Sequence, residues 1–149
     1  MLIYRILNLI ETKQMTMTKI AIDTNILIYC HLQEDECKRN VAHELLARVP
    51  VVSSQVVSEY LNVMKRLLKM SKIEILELCY QWMNHCHLKN VDRNTVKLAQ
   101  QLIKKYDFQI FDAIIVSAAL ETGCKTLYSE DMHNGLVVEK QLTIINPFL

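Results

Sequence analysis

The sequence predicts an α/β domain with a central parallel β-sheet and helices on both faces. Three observations lead there. Short apolar runs rich in β-branched residues (Ile20-Ala21-Ile22, Val51-Val52 and Leu142-Thr143-Ile144-Ile145) recur along the chain. They are too short for helices and read as buried parallel strands. Segments with apolar residues at helical spacing separate them, an alternation that covers a sheet on both sides. Only two glycines and two prolines occur in 149 residues, which favours helices with short connections over a loop-rich scaffold.

Residues 1–18 are set apart as an N-terminal extension, with the domain proper over 19–149. The apolar run at 2–10 falls well short of the ~20 residues a membrane span needs. Arg5 interrupts it and no small-residue cleavage site follows, so no signal peptide is expected. Met15 and Met17 lie just ahead of the first strand, and either is a candidate start of the natural product.

The first strand runs through Ile20-Ala21-Ile22 and ends abruptly in Asp23-Thr24-Asn25, a carboxylate, a hydroxyl and an amide. Residues 26–31 continue as a helical turn or loop, and the polar stretch at 33–36 breaks it. Val41, Leu45 and Leu46 give residues 40–48 helical spacing, and Pro50 stops that helix before the strand Val51-Val52. Ser53-Ser54 supplies capping hydroxyls for a helix over 55–69 with a stripe of Val56, Tyr60, Val63, Met64 and Leu67. Residues 71–87 form a further helix carrying Ile75, Leu78, Cys79 and Trp82, and 88–91 a short strand or linker. Residues 95–106 are helical again. The run from Ala113 to Leu120 is apolar nearly all round, which marks a buried helix, with Asp112 as its only early charge and Gly123 as its stop. Lys125-Thr126-Leu127-Tyr128 reads as a strand ending at Ser129-Glu130-Asp131, and residues 142–145 as the last strand.

A hydrophobic content of 51% with 22% charged residues excludes a disordered chain. The net charge of +1 rules out whole-molecule attraction to nucleic acid, though not a basic rim around an acidic centre. Five cysteines without a C-x-x-C pair, and no secretory signal, suggest reduced thiols in a cytoplasmic protein. His85-Cys86-His87 is a poor zinc set, because alternate residues on a helix point to different sides.

Four acids are the candidate chemistry, and each has a structural reading beside the functional one. Asp23 and Asp131 could brace strand-end turns, Glu59 could open a solvated helix face, and Asp112 could be a helix N-cap. Jointly they point elsewhere. In a doubly wound sheet, ligands bind beyond the carboxyl ends of the strands, and all four acids belong to that edge. Like charges ~4 Å apart at an effective dielectric of ~20 cost about 4 kcal/mol per pair, so such a cluster raises its own pKa values or recruits a cation. All-oxygen ligands favour Mg²⁺ or Mn²⁺ over zinc. A carboxylate-held pair of such ions is a phosphodiester-cleaving device. No P-loop, G-x-S-x-G elbow or glycine-rich dinucleotide turn offers a competing chemistry.

The segments 20–29, 53–62, 111–120 and 127–131, with Asp23, Glu59, Asp112 and Asp131 in order, resemble the four acidic motifs of the PIN domain, and the likeness runs from about 19 to 148. Phe111 stands where many relatives have tryptophan. The resemblance implies a Mg²⁺-dependent endoribonuclease of the VapC toxin type, with Asp23, Glu59, Asp112 and Asp131 as the metal-binding catalytic quartet. Asn25 and Ser129 map onto supporting polar positions, and Glu130, next to Asp131, is an alternative fourth acid. It also implies an antitoxin partner laid across the acidic groove and a homodimer. RNA contact is assigned to Arg66 first, then Lys65, Lys69 and Lys72, with Lys104-Lys105 as a weaker candidate.

Two other readings remain in view. A haloacid-dehalogenase-like phosphatase would use Asp23 as covalent nucleophile, but expects a second Asp where this chain has Asn25. A PIN-like module without activity would be expected to lack an acid.

Overall fold

Ile20, Ala21 and Ile22 form strand β1 (Ile20–Ile22), and all three side chains are buried. The computed structural model describes residues 18–149, so the expected N-terminal extension lies almost wholly outside the described residues. β1 pairs in parallel with β2 (Val51–Ser53) on one side and β4 (Thr126–Tyr128) on the other. The six-stranded sheet runs β3-β2-β1-β4-β6-β5, with β3 at His87–Lys89, β5 at Val137–Val138 and β6 at Leu142–Ile145. Every pairing is parallel except β5 with β6. The predicted α/β class and parallel centre are what the chain adopts.

Six helices cover the sheet among the described residues: α1 (Thr24–Tyr29), α2 (Glu36–Ala47), α3 (Ser54–Leu67), α4 (Lys72–Met83), α5 (Arg93–Tyr106) and α6 (Ile110–Glu121). The core lies between sheet and helices, centred on Ile22, Leu27, Val52, Tyr60, Met64, Val116, Leu127 and Ile144. No helix of the described residues is long and apolar enough to cross a membrane. All five cysteines are free.

Several boundaries differ from the sequence reading, each for a local reason. The polar stretch does break the first helix from the next, but α2 starts at Glu36, ahead of the expected 40, because the Asp35 carboxylate accepts the Lys38 N–H at 3.0 Å and caps it. The helix expected over 71–87 ends at Met83 because the chain turns there and enters the sheet at His87, whose N–H donates to the Pro50 carbonyl at 2.9 Å. Leu67, placed in the apolar stripe of α3, is 53% exposed at the end of that helix. α6 buries Ala113 and the run Ile115 to Ala119, as its composition demanded, but Ile114 and Leu120 are only half-buried, and Ile110 and Phe111 in its first turn face solvent.

β1, β2 and β4 share a direction, so their carboxyl ends lie on one edge. Asp23 follows β1, Ser53 ends β2 and caps α3, and Ser129 follows β4. The site is assembled on this edge.

Candidate functional site

Asp23 is held by the turn that links β1 to α1. It is the N-cap of α1, with extended backbone, and its Oδ1 accepts the Thr24 N–H at 2.6 Å. Its Oδ2 accepts the Ser129 hydroxyl at 2.7 Å, and Asn25 Nδ2 stands 3.5 Å from the same oxygen. The bracing role and the convergence with other acids therefore coexist in one side chain. Burial pushes the Asp23 carboxyl up to about 6; the hydrogen bonds from Ser129 and Thr24 oppose that rise, and the charges of Asp112 and Glu59 add to it.

Glu59 lies on the second turn of α3, anchored from both sides. Thr24 Oγ1 donates to its Oε2 at 2.9 Å, and Gln55 Nε2, one turn earlier, donates to its Oε1 at 2.8 Å. Asp112 is the third residue of α6 and not its N-cap: Gln109 occupies that position without a side-chain bond, and the helix starts two residues before Asp112. The capping alternative for Asp112 is thereby removed. Its carboxyl is raised by burial first and then by Glu59 and Asp131, with no cation or hydrogen bond among the described residues to offset them. Asp131 is exposed and receives Asn25 Nδ2 at 3.1 Å. Asn25 thus spans Asp23 and Asp131, while its Oδ1 accepts the Glu130 N–H at 3.3 Å.

The four acids therefore sit within one electrostatic field. Asp112 senses Glu59 and Asp131, and Asp23 senses Asp112 and Glu59. Glu130 points away: its carboxylate is paired with Lys38 and accepts the Tyr29 hydroxyl at 2.5 Å. Partial burial raises the Glu130 carboxyl, but the bonds from Lys38 and Tyr29 outweigh that and hold it below the usual range.

The donor chemistry fits a hard divalent cation: four carboxylates and one amide, with repulsion that a 2+ charge would relieve. Among the described residues no three His, Cys, Asp or Glu side chains stand close enough to form a finished ligand shell.

Among the described residues none of the cations named from sequence is ion-paired with Asp23, Glu59, Asp112 or Asp131. Lys65 and Arg66 lie in the last turn of α3, about 10 Å along the axis from Glu59, and Arg66 Nε reaches the Asn62 carbonyl of its own helix at 3.4 Å. Lys69 is exposed beyond α3, and Lys72 starts α4. Lys105 is engaged with Glu139 at 2.8 Å. Three residues that shape the site were not singled out from sequence: Thr24, Gln55 and Lys38. Thr24 at least stood inside the polar cluster ending β1; the other two carried no local signal.

A PIN domain profile matches residues 20–133. The chain belongs to the PIN domain family. The fold agrees: this PIN domain superposes on a toxin–antitoxin complex from Klebsiella pneumoniae with a TM-score of 0.65 at 16% identity, covering 87% of this chain and 98% of that one. FitAcB from Neisseria gonorrhoeae matches with the same TM-score of 0.65, at 16% identity and 87% and 98% coverage. VapC20 of Mycobacterium tuberculosis gives 0.61 at 16% identity, covering 73% of this PIN domain and 87% of its own chain. At such identities the likeness speaks for the fold. No protein of curated function matches in sequence.

Proposed function

We propose that this PIN domain is a divalent-metal-dependent endoribonuclease, the toxin of a toxin–antitoxin pair. The observation that carries the reading is that the charges of Asp112 and Glu59, acids from distant parts of the chain, both act on the buried carboxyl of Asp23 at the carboxyl edge of the sheet. The fold's neighbours support the biological setting: VapC20 is described as a sarcin–ricin loop cleaving toxin, and the Klebsiella structure is a toxin–antitoxin complex.

Asp23, Glu59, Asp112 and Asp131 would hold Mg²⁺, with Mn²⁺ as a substitute. When bound, such ions generate a nucleophilic hydroxide and stabilise the departing oxygen in phosphodiester cleavage. The chain's own part is positional. Ser129 and the Thr24 N–H fix both oxygens of Asp23. Thr24 Oγ1 and Gln55 fix Glu59. Asn25 orients Asp131 relative to Asp23. With Glu130 turned toward Lys38, Asp131 is the better fourth acid. Exposed Arg66, Lys65 and Lys69 would meet RNA phosphates outside the acidic centre. A cognate antitoxin, a homodimeric assembly and a cytoplasmic location complete the proposal.

The test compares wild type with Asp23→Asn for growth on induction and for cleavage of total RNA in Mg²⁺ or EDTA. Loss of toxicity and cleavage in the variant, and in EDTA for the wild type, is expected. Unimpaired cleavage by Asp23→Asn would send the chemistry to another site. A covalent aspartyl phosphate formed from a phosphomonoester would instead favour the phosphatase.

A further inference from the structure

The loop carrying Asp131 is gripped from outside the acid cluster. Lys38, in the first turn of α2, pairs with the Glu130 carboxylate and donates to the Tyr29 hydroxyl at 3.1 Å. Tyr29 in turn donates to Glu130 Oε2 at 2.5 Å. The same ammonium lies 4.7 Å from the Tyr29 ring centroid and 5.2 Å from that of Phe148, and the two rings meet edge to face at 5.1 Å. One cation thus joins the end of α1, the start of α2, the loop after β4 and the C-terminal segment.

We propose that Lys38, with Tyr29, is a positioning residue for the metal site: it draws Glu130 outward and so fixes the loop that presents Asp131. The inference rests on the metal-site reading above. Glu130 is held by its backbone as well as its side chain. Its N–H donates to Asn25 Oδ1 at 3.3 Å, and its carbonyl accepts Asn146 Nδ2 at 3.4 Å. The residues on either side are those that face the acids: Ser129 donates to Asp23, and Asp131 accepts from Asn25. Rotation of this three-residue stretch would pull both contacts apart and swing a fifth carboxylate toward the cluster. Lys38 opposes that rotation at its middle residue.

Positioning can be told from simple electrostatics by the sign of the effect. Removing a cation near an anionic site strengthens the site's field and should tighten divalent-ion binding. Loss of positioning should weaken it. Mn²⁺ binding is measured by calorimetry on the full chain for wild type, Lys38→Met, Tyr29→Phe and Asp23→Asn, with circular dichroism to verify folding. A partly exposed ion pair adds little to global stability, so Lys38→Met is expected to fold. Tyr29→Phe keeps the ring contact with Phe148 and provides the same test should Lys38→Met fail to fold.

Both variants are expected to lose about tenfold in Mn²⁺ affinity, the low end for outer partners of metal ligands, and Asp23→Asn to lose binding altogether. Wild-type or tighter Mn²⁺ binding by folded Lys38→Met or Tyr29→Phe, beside loss in Asp23→Asn, would overturn the positioning role alone. Wild-type binding by Asp23→Asn would overturn the metal site itself, and with it this inference.

Discussion

The Ser129 hydroxyl donates to Asp23 Oδ2 at 2.7 Å, joining the ends of two adjacent parallel strands through side chains that are both buried. The bond favours the ionised carboxyl, against a burial that favours the neutral one. Hydrogen bonds to charged groups contribute about 1.5–3 kcal/mol, so Ser129→Ala should raise the Asp23 pKa by roughly one unit or more. The acidic limb of the pH profile for Mn²⁺ binding should move to higher pH by that amount. An unmoved limb would show that Asp23 does not govern it.

The same shift makes stability depend on pH. The Asp23 carboxyl goes from an ordinary 3.8 to about 6 in the folded protein. The folded state therefore binds the proton more tightly, and the associated stability is complete below 3.8 and lost as pH rises through about 6. A shift of this size corresponds to about 3 kcal/mol. Asp112, raised by burial and by Glu59 and Asp131, acts in the same direction. In EDTA, melting measured across this range should show declining stability from these groups. Asp23→Asn should flatten the decline.

Mutual repulsion also predicts a gain from removing an acid. Asp112 is opposed by burial, Glu59 and Asp131, with no cation or hydrogen bond among the described residues in return. Asp112→Asn should raise the melting temperature in EDTA at neutral pH while abolishing RNA cleavage, the stability–function conflict expected of a functional cluster. With saturating Mn²⁺ the order should reverse, because a ligand at 100 times its Kd adds about 2.7 kcal/mol to the species that binds it. A variant less stable than wild type in EDTA would mean that Asp112 is a structural residue.

How much of this was legible beforehand depends on sequence distance. β6 could be read at its full length because its continuous apolar run has no competing interpretation, and α6 because its all-round apolar composition fits only burial. β5 escaped notice. It is two residues long, and the tight turn after it uses Glu139 and Lys140 at φ 52° and 55° in place of the usual Asn-Gly. Asp23 and Asp131 could be named because each follows a strand, and Asp112 because it is the only early charge of a buried helix; Glu59, inside α3, is named from its place in the resemblance. Which fourth acid faces the cluster could not, since the choice between Glu130 and Asp131 is made by Lys38 and Asn25, residues about a hundred positions away. Arg66 shows the converse failure: its helical register was right, but register does not bring a side chain across two turns to Glu59.

The entry to β2 contains a correctable strain. Val49, just past the C-cap of α2, has φ 54°, and its N–H donates to the Leu46 carbonyl at 3.1 Å. This is the left-handed position that ends many helices and that glycine or asparagine occupies at little cost. For a β-branched residue the conformation costs roughly 1–2 kcal/mol. At 44% exposure Val49 recovers only part of that by packing. Val49→Asn should therefore stabilise the protein by about 1 kcal/mol, read as a higher urea midpoint at unchanged slope. The turn feeds β2, whose last residue, Ser53, caps α3 by accepting the Val56 N–H at 3.2 Å and so sets where Glu59 emerges. If the strain is confined to Val49, RNA cleavage should be unaltered in this variant. A cleavage loss accompanying the stability gain would show that the turn's conformation is transmitted to the acid edge.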